Sequence, residues 1–259
     1  MMRILQYNIL DGCENDPARL AKLGAWLTAQ AYDVVGLNEL NGWDAAPGMR
    51  GRGAAWGYPH GELFVTRRSR YLVGVLSRHP IEVVATEEDG FCHGLLHVRI
   101  LGVNYVITHL TPRNAADREL EAALVAARVR QVREPLSLMG DMNTLSPLDR
   151  EWHTAAGLLP VLLDTPLLRR KFVTAEGAVN YRPMQTLLDA GLTDLGPRGA
   201  SEYSVPTAAN ADIAHAARMR LDYLLANPAF VALKPATRIV RDAATDALSD
   251  HYPVECVWG

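Results

Sequence analysis

Between residues 62 and 110 the chain offers five apolar, strand-like runs in succession: ELFVTR, YLVGVLSR, IEVVAT, GLLHVRI and VNYVITHL. No helical pattern separates them, so this block must form a sheet of neighbouring strands. The flanks differ. RILQYNIL reads as a strand, DPARLAKLGAWLTAQ as a helix with Asp16 at its N-cap and Pro17 at its first helical position, and DVVGLNEL as a buried strand. Leu20, Leu23, Leu27 and Ala31 fit one apolar face of that helix. Beyond the block, NAADRELEAALVAARVRQVRE is a helix. Its acids, Asp117, Glu119 and Glu121, come early and its bases, Arg128, Arg130 and Arg133, come late, as the helix dipole favours. The apolar strand LSLM follows it. Helices are expected in SPLDREWHTAAG and RPMQTLLDAG, and closing strands in RMRLDYLLAN and YPVECVW. Residues 41–61, rich in Gly and Trp, read as a long loop. This order describes an α/β fold with much antiparallel pairing. Each half also carries a strand ending in Asn or Asp, a helix, an apolar strand with an acid and a last strand beside a His, a faint duplication. No linker breaks the chain, so residues 1–259 read as a single domain.

The apolar runs end in polar residues. In PLSLMGDMNTLSP, Asp141 and Asn143 sit two apart where a buried strand stops. If the extended conformation continues through GDMN, both side chains project to one face and overlook a cleft. Asn8 lies in LQYNIL, Glu39 ends VVGLNEL, His109 ends VITHL, Asp222 interrupts RLDYLLAN, and Ser249-Asp250-His251 precedes YPVECVW. Each has an ordinary explanation: a turn for Asp141 and Asn143, for Asn8 and for Ser249–His251, an ion pair for Glu39, pairing of Asp222 with Arg220 or Arg218, a satisfied core histidine for His109. Together they are harder to dismiss, because a buried charge must pair, bind a metal or face a cleft.

Composition excludes several alternatives. A net charge of −3 and a pI of about 6.2 give no global basic field, so any attraction to nucleic acid must be local. Cys13, Cys92 and Cys256 are odd in number and widely spaced, with no C-x-x-C pair, which favours a reducing compartment. MMRILQYNIL is too short in apolar core for a signal peptide, and no 18-residue apolar stretch occurs. A cytoplasmic protein without a membrane span is expected. GRGAAWG lacks the spacing of a dinucleotide fingerprint, and G-x-S-x-G and H-E-x-x-H are absent, leaving serine and zinc hydrolases unsupported.

QYNIL, VVGLNEL, GVLSRHPI, VITHL, GDMNT, RLDYLLAN and LSDHYPV, in this order over residues 4–257, resemble the endonuclease/exonuclease/phosphatase superfamily, the deoxyribonuclease I-like fold. The resemblance implies a four-layer sandwich, two packed and mostly antiparallel sheets flanked by helices. It implies metal-dependent attack of water on a phosphate ester, with Mg²⁺ as the cofactor and Mn²⁺ able to substitute. Glu39 would be the main Mg²⁺ ligand, with Asn8 and Asp250 close by. Asp141 would orient or deprotonate the attacking water and Asn143 would hold the phosphate or that water. His251 would contact the phosphate oxygens, with Asp222 holding its ring, and His109 would serve the leaving oxygen. In LLRRKF, Arg169, Arg170 and Lys171 could hold phosphates, Arg170 being the residue named for substrate binding, against a solvated basic loop as the ordinary reading. A nuclease-like phosphodiesterase is the favoured activity. A phosphomonoesterase or lipid phosphodiesterase is the enzyme alternative, and a catalytically silent binding module on the same fold is the non-enzyme one. HLTP stands where repair-type members carry Tyr-Val-Pro-Asn, so a damaged-DNA repair role does not follow. The partner is a phosphate-ester substrate, nucleic acid among the candidates, and no obligate protein partner is implied.

Overall fold

The computed structural model describes residues 1–209 and 216–259. The chain opens with strand β1 (Met2–Asn8), helix α1 (Pro17–Gln30) and strand β2 (Val34–Asn38), then helix α2 (Gly48–Ala55). The strands β3 (His60–Phe64), β4 (Val73–Ser77), β5 (Glu82–Glu87), β6 (Leu95–Ile100) and β7 (Val103–Thr108) realise the five apolar runs. Helix α3 (Ala115–Val129) and strand β8 (Leu136–Asp141) follow. Next come α4 (Arg150–Ala155), α5 (Leu158–Asp164), α6 (Pro166–Phe172), α7 (Arg182–Asp189) and the short strand β9 (Thr193–Asp194). Strand β10 (Asp222–Ala226), helix α8 (Pro228–Val231), and strands β11 (Ala236–Ile239) and β12 (Val254–Trp258) close the chain.

The strands form two six-stranded sheets, ordered β11-β12-β1-β2-β4-β3 and β5-β6-β7-β8-β10-β9. Each holds one parallel pair, β1/β2 and β7/β8, and its other pairs are antiparallel. The parallel pairs are joined by α1 and by α3, and each sheet repeats the plan of the other, which is the architectural form of the faint duplication.

Alternation along the strands builds the layers. Ile4, Val34 and Val75 of the first sheet meet Leu96, Ile107, Met139 and Leu224 of the second in a central core. The alternate residues of the first sheet, Leu5, Val35 and Leu37, face Leu23, Trp26 and Leu27 of α1. Those of the second, Val106, Leu138 and Leu225, face Ala122 and Val125 of α3 and Met184 and Leu187 of α7. The result is the four-layer sandwich of helices, sheet, sheet and helices. A smaller cluster, Leu145, Leu158, Leu162, Leu168, Phe172 and Leu221, seats α5 and α6 against the main body.

The helix signals hold: Asp16 accepts from the Arg19 N–H at 2.9 Å, and Asn114 caps α3 through the Asp117 N–H at 2.9 Å. Two expectations change. Residues 41–61 contain α2, which packs Met49 and Gly53 inward, where a Cβ on Gly53 would meet the Leu76 side chain at 2.5 Å. LLRRKF is the helix α6 and not a loop, because Leu168 and Phe172 anchor it to the smaller cluster. Among the described residues no helix is long and apolar enough to cross a membrane.

Candidate active site

The strand ends converge on a cavity of about 270 Å³, lined by Leu10, Asp11, Glu39, Tyr71, His93, His109, Pro112, Asp141, Asn143, Lys171, Asp250 and His251. Strand β8 delivers Asp141. The glycine before it is obligatory, since a Cβ on Gly140 would lie 1.9 Å from the Thr108 carbonyl oxygen. The extended conformation does not continue through GDMN. Asn143 takes a left-handed φ of 46° and its N–H donates to Asp141 Oδ1 at 2.8 Å. A side chain-to-backbone turn, and not strand alternation, brings the two residues together.

Asp141 Oδ2 is the hub. It accepts from Asn8 Nδ2 at 3.2 Å and lies 3.4 Å from His109 Nε2 and 3.8 Å from His251 Nε2. Burial alone would raise its pKa, but His251, His109 and Lys171 outweigh burial and hold the carboxyl well below the usual range. For His109, burial opposes protonation, while Asp141 and Glu39 overcome it and push the pKa up. His109 Nε2 therefore has two modes: neutral, it accepts from Asn143 Nδ2 at 3.0 Å; protonated, it donates towards Asp141.

His251 Nδ1 lies 2.7 Å from Asp222 Oδ2. Asp222 opens β10 directly across from Asp141 in the antiparallel register. Two carboxylates so placed repel each other, and the imidazolium that neighbours both offsets this. Burial would depress His251, yet Asp222, Asp250 and Asp141 push it up to about 10. Asp222 does not pair with Arg220: that guanidinium reaches Asp149 Oδ2 at 2.8 Å and Asp194 Oδ2 at 2.5 Å.

At another part of the cavity stands Glu39, just past β2 at a left-handed φ of 63°. Its Oε1 accepts from Asn8 Nδ2 at 3.1 Å and its Oε2 from the Asp11 N–H at 2.9 Å. Burial is the largest influence on its pKa, which is raised although His109, the Asp11 N–H and His251 work against it. Asn8 turns its amide nitrogen to both Glu39 and Asp141, and its Oδ1 accepts from the Leu10 N–H at 3.1 Å. Ser249 Oγ donates to the Asn8 carbonyl at 2.7 Å and lies 3.2 Å from Asp250 Oδ1, tying the SDH segment to β1. Among the described residues no cluster of three His, Cys, Asp or Glu side chains is arranged to hold a metal. The carboxylates that line the cavity are those of Asp11, Glu39, Asp141 and Asp250, and the Asn8 amide lies beside Glu39.

The structure thus brings Asn8, Glu39, His109, Asp141, Asn143, Asp222, Asp250 and His251 into one constellation. Arg170 is not part of it. It is exposed on α6 and does not line the cavity, whereas its neighbour Lys171 does. The helical repeat explains the switch, for Lys171 shares the inward face of α6 with Leu168 and Phe172. That phase was readable in LLRRKF once the segment is taken as helix. His93 and Tyr71 also line the cavity. His93 stacks on His109 with ring centroids 4.5 Å apart, and nothing in CHG or SRYL signals either residue.

The profile of the Endonuclease/Exonuclease/phosphatase family matches residues 5–251. No curated protein matches the sequence. Among solved structures, a 3'-5' exonuclease from Neisseria meningitidis superposes with a TM-score of 0.71 at 22% identity, covering 99% of each chain. An AP endonuclease from Archaeoglobus fulgidus superposes with a TM-score of 0.70 at 15% identity, over 100% of this chain and 99% of the other. A mannosyl-6-phosphatase from Bacteroides thetaiotaomicron does so with a TM-score of 0.61 at 13% identity, over 100% of both. Such identities speak for a shared fold.

Proposed function

The chain belongs to the Endonuclease/Exonuclease/phosphatase family, and we propose from that premise a divalent-metal-dependent phosphoesterase that favours a phosphodiester. The cation we assign is Mg²⁺, with Mn²⁺ able to take its place. One observation carries the reading: a buried carboxylate, Asp141, sits between two imidazoles and beside two amides in a cavity that also holds Glu39 and Asp250.

Glu39 supports the cation. It is a carboxylate with a raised pKa, a strained backbone and only two N–H donors, and no cationic side chain touches it among the described residues. Strain of this kind persists where the surroundings impose it, and it gathers at functional sites. Two carboxylates and little else suit Mg²⁺, which keeps several waters and asks for few protein ligands. Glu39 and Asp250 would hold it, steadied by Asn8. When bound, such an ion polarises a phosphoryl oxygen and makes nearby water more acidic.

The remaining work falls to the chain itself. Asp141, held far below the ordinary carboxylate range, stays ionised and is a weak base. It suits orienting the attacking water better than abstracting its proton. His251, kept protonated by Asp222, places a fixed positive charge where a phosphoryl oxygen gains negative charge. His109 can deliver a proton to the leaving oxygen and relax to accept from Asn143. Residues 1–259 then form one domain around one site. Three free thiols, two of them buried, favour a reducing compartment, and we assign the cytoplasm.

The test is hydrolysis of plasmid DNA, bis-(p-nitrophenyl) phosphate and p-nitrophenyl phosphate with Mg²⁺, Mn²⁺ or EDTA, for wild type and Glu39→Ala. Metal-dependent cleavage of both diesters, lost in Glu39→Ala, is expected. Cleavage of the monoester alone would replace the diester reading. Cleavage that survives EDTA would remove the metal.

A further inference from the structure

Two side chains that line the active-site cavity, Lys171 and His93, each carry a nitrogen without a partner among the described residues. Lys171 is 5% exposed and lines the cavity, yet its ammonium makes no hydrogen bond or ion pair with any described residue. Its Nζ lies 5.1 Å from the centroid of the Phe172 ring. Burying an ammonium without a partner is costly, so a residue there for packing alone would be apolar. Burial drags the Lys171 pKa down to about 8, although Asp141, Glu39 and Asp250 draw it the other way. His93, 3% exposed, is the second. Ser69 Oγ accepts from the Tyr71 N–H at 3.0 Å and stands 2.7 Å from His93 Nδ1, where its hydroxyl can donate to the ring nitrogen or accept from it. The other ring nitrogen, Nε2, is buried without a partner, and it is a donor in the tautomer in which Ser69 donates to Nδ1.

Both residues are held in place. Arg118 of α3, 1% exposed, donates from Nη1 to the Thr111 carbonyl at 2.7 Å and from Nη2 to the Lys171 carbonyl. Glu121, one turn further on, accepts the Cys92 N–H at 2.6 Å and the Thr111 N–H at 2.6 Å. One face of α3 therefore pins the segments that carry His93, His109 and Lys171. A buried Arg and a buried Glu spent on three backbone segments build a rigid wall, and Lys171 and His93 line the cavity from it.

We propose that Lys171 and His93 form an oxyanion subsite for the phosphate group of the ligand. The Lys171 ammonium pairs with one non-bridging oxygen and His93 Nε2–H donates to another oxygen of the same phosphate. The subsite counters the carboxylates of Asp11, Glu39, Asp141 and Asp250, which would otherwise repel an anion from this cavity. For turnover the inference rests on the phosphoesterase reading; for binding it does not.

The experiment is calorimetric titration of inorganic phosphate at neutral pH in EDTA, for wild type, Lys171→Met and His93→Phe, with thermal melts of each. Wild type is expected to bind. Lys171→Met is expected to bind roughly 10- to 100-fold more weakly, the worth of a charge-assisted hydrogen bond, and His93→Phe roughly 3- to 10-fold more weakly. The Met stem keeps the packing of Lys171, and loss of an unpaired buried charge should leave the melting temperature unchanged or raised. A wild type that binds no phosphate, or a folded Lys171→Met that binds it as well as wild type does, overturns the subsite. Phosphate binding through Lys171 in a protein that cleaves no ester would sink the phosphoesterase reading and leave the subsite standing.

Discussion

Asn38 closes β2 and is fully buried, and its amide makes three hydrogen bonds. Its Oδ1 accepts from Gln6 Nε2 at 2.6 Å and from the Asp141 N–H at 2.8 Å, and its Nδ2 donates to the Thr108 carbonyl at 3.0 Å. Gln6 belongs to the first sheet, Asp141 and Thr108 to the second, so one side chain rivets the sheets together beneath the cavity. Asn38→Ala leaves three buried groups unpaired. Each costs about 1–3 kcal/mol when no partner replaces it. Allowing for local relaxation, the loss should total about 3–5 kcal/mol, a large share of the 5–15 typical of a folded domain. At about 2–4 °C per kcal/mol for a chain of this size, the melting temperature should fall by roughly 6–20 °C. Urea unfolding followed by circular dichroism measures the free energy, and the slope should be unchanged. Turnover of a diester at a temperature where the variant is folded should fall as well, since the Asp141 backbone loses its anchor. A loss below about 1 kcal/mol would refute the rivet. So would full activity in a variant as unstable as expected, because it would uncouple the sheet contact from the site.

Two further outcomes concern the hub. Asp141→Asn and His251→Ala should each lower the rate by about 10²–10⁴ while folding normally, and near-normal turnover in either would remove that residue from the mechanism. Asp222→Asn should cut activity and change the pH dependence of stability. His251 is raised in the folded state, so its contribution is fully present below the ordinary histidine pKa and disappears as pH rises through about 10. Stability of the metal-free wild type, measured by urea unfolding between pH 6 and 10, should therefore fall across this interval more steeply than that of Asp222→Asn; parallel curves would contradict the pairing.

The strands, the main helices and most of the site were legible in the chain because they follow local rules. Alternation marks a half-buried strand, caps mark a helix, and a polar residue at the end of an apolar run marks a strand end facing something other than core. Arg170 and Lys171 show where legibility stops. Both are bases in the same run, and a rotation of 100° about a short helix decides which is buried. The phase depends on Leu168 and Phe172 finding Leu145 and Leu158, contacts set by tertiary structure. His93 is harder still. It enters the site only because its ring stacks on His109, which lies sixteen positions further along the chain and whose placement depends on β7 pairing with β6 and β8. The Arg118–Glu121 clamp was hidden differently. Glu121 reads as one of the early acids that suit the helix dipole, and Arg118 carries no signal of its own, yet both are buried.

Topology explains why so many separate segments reach one place. In a parallel pair both strands end on the same side of the sheet, so β1 and β2 deliver Asn8 and Glu39 together, and β7 and β8 deliver His109 and Asp141 together. A strand antiparallel to one of these begins where its neighbour ends. Strand β10 therefore starts with Asp222 facing Asp141, and β12, antiparallel to β1, is preceded at that end by Asp250 and His251. These seven polar residues need no long loop to meet; they need only the two sheets to stack with these ends aligned, and Asn38 helps to secure that alignment. The backbone bears the local cost. Of eight described non-glycine residues with positive φ, five (Leu10, Asp11, Cys13, Glu39 and Asn143) lie on the turns that leave β1, β2 and β8. The sheets themselves are regular apart from a register shift between Val83 and Ala85 on β5. Strain gathers where the chain must turn sharply while keeping a donor or a carboxylate aimed into the cavity, which is the expected distribution if the aim of those groups matters more than the comfort of the turns.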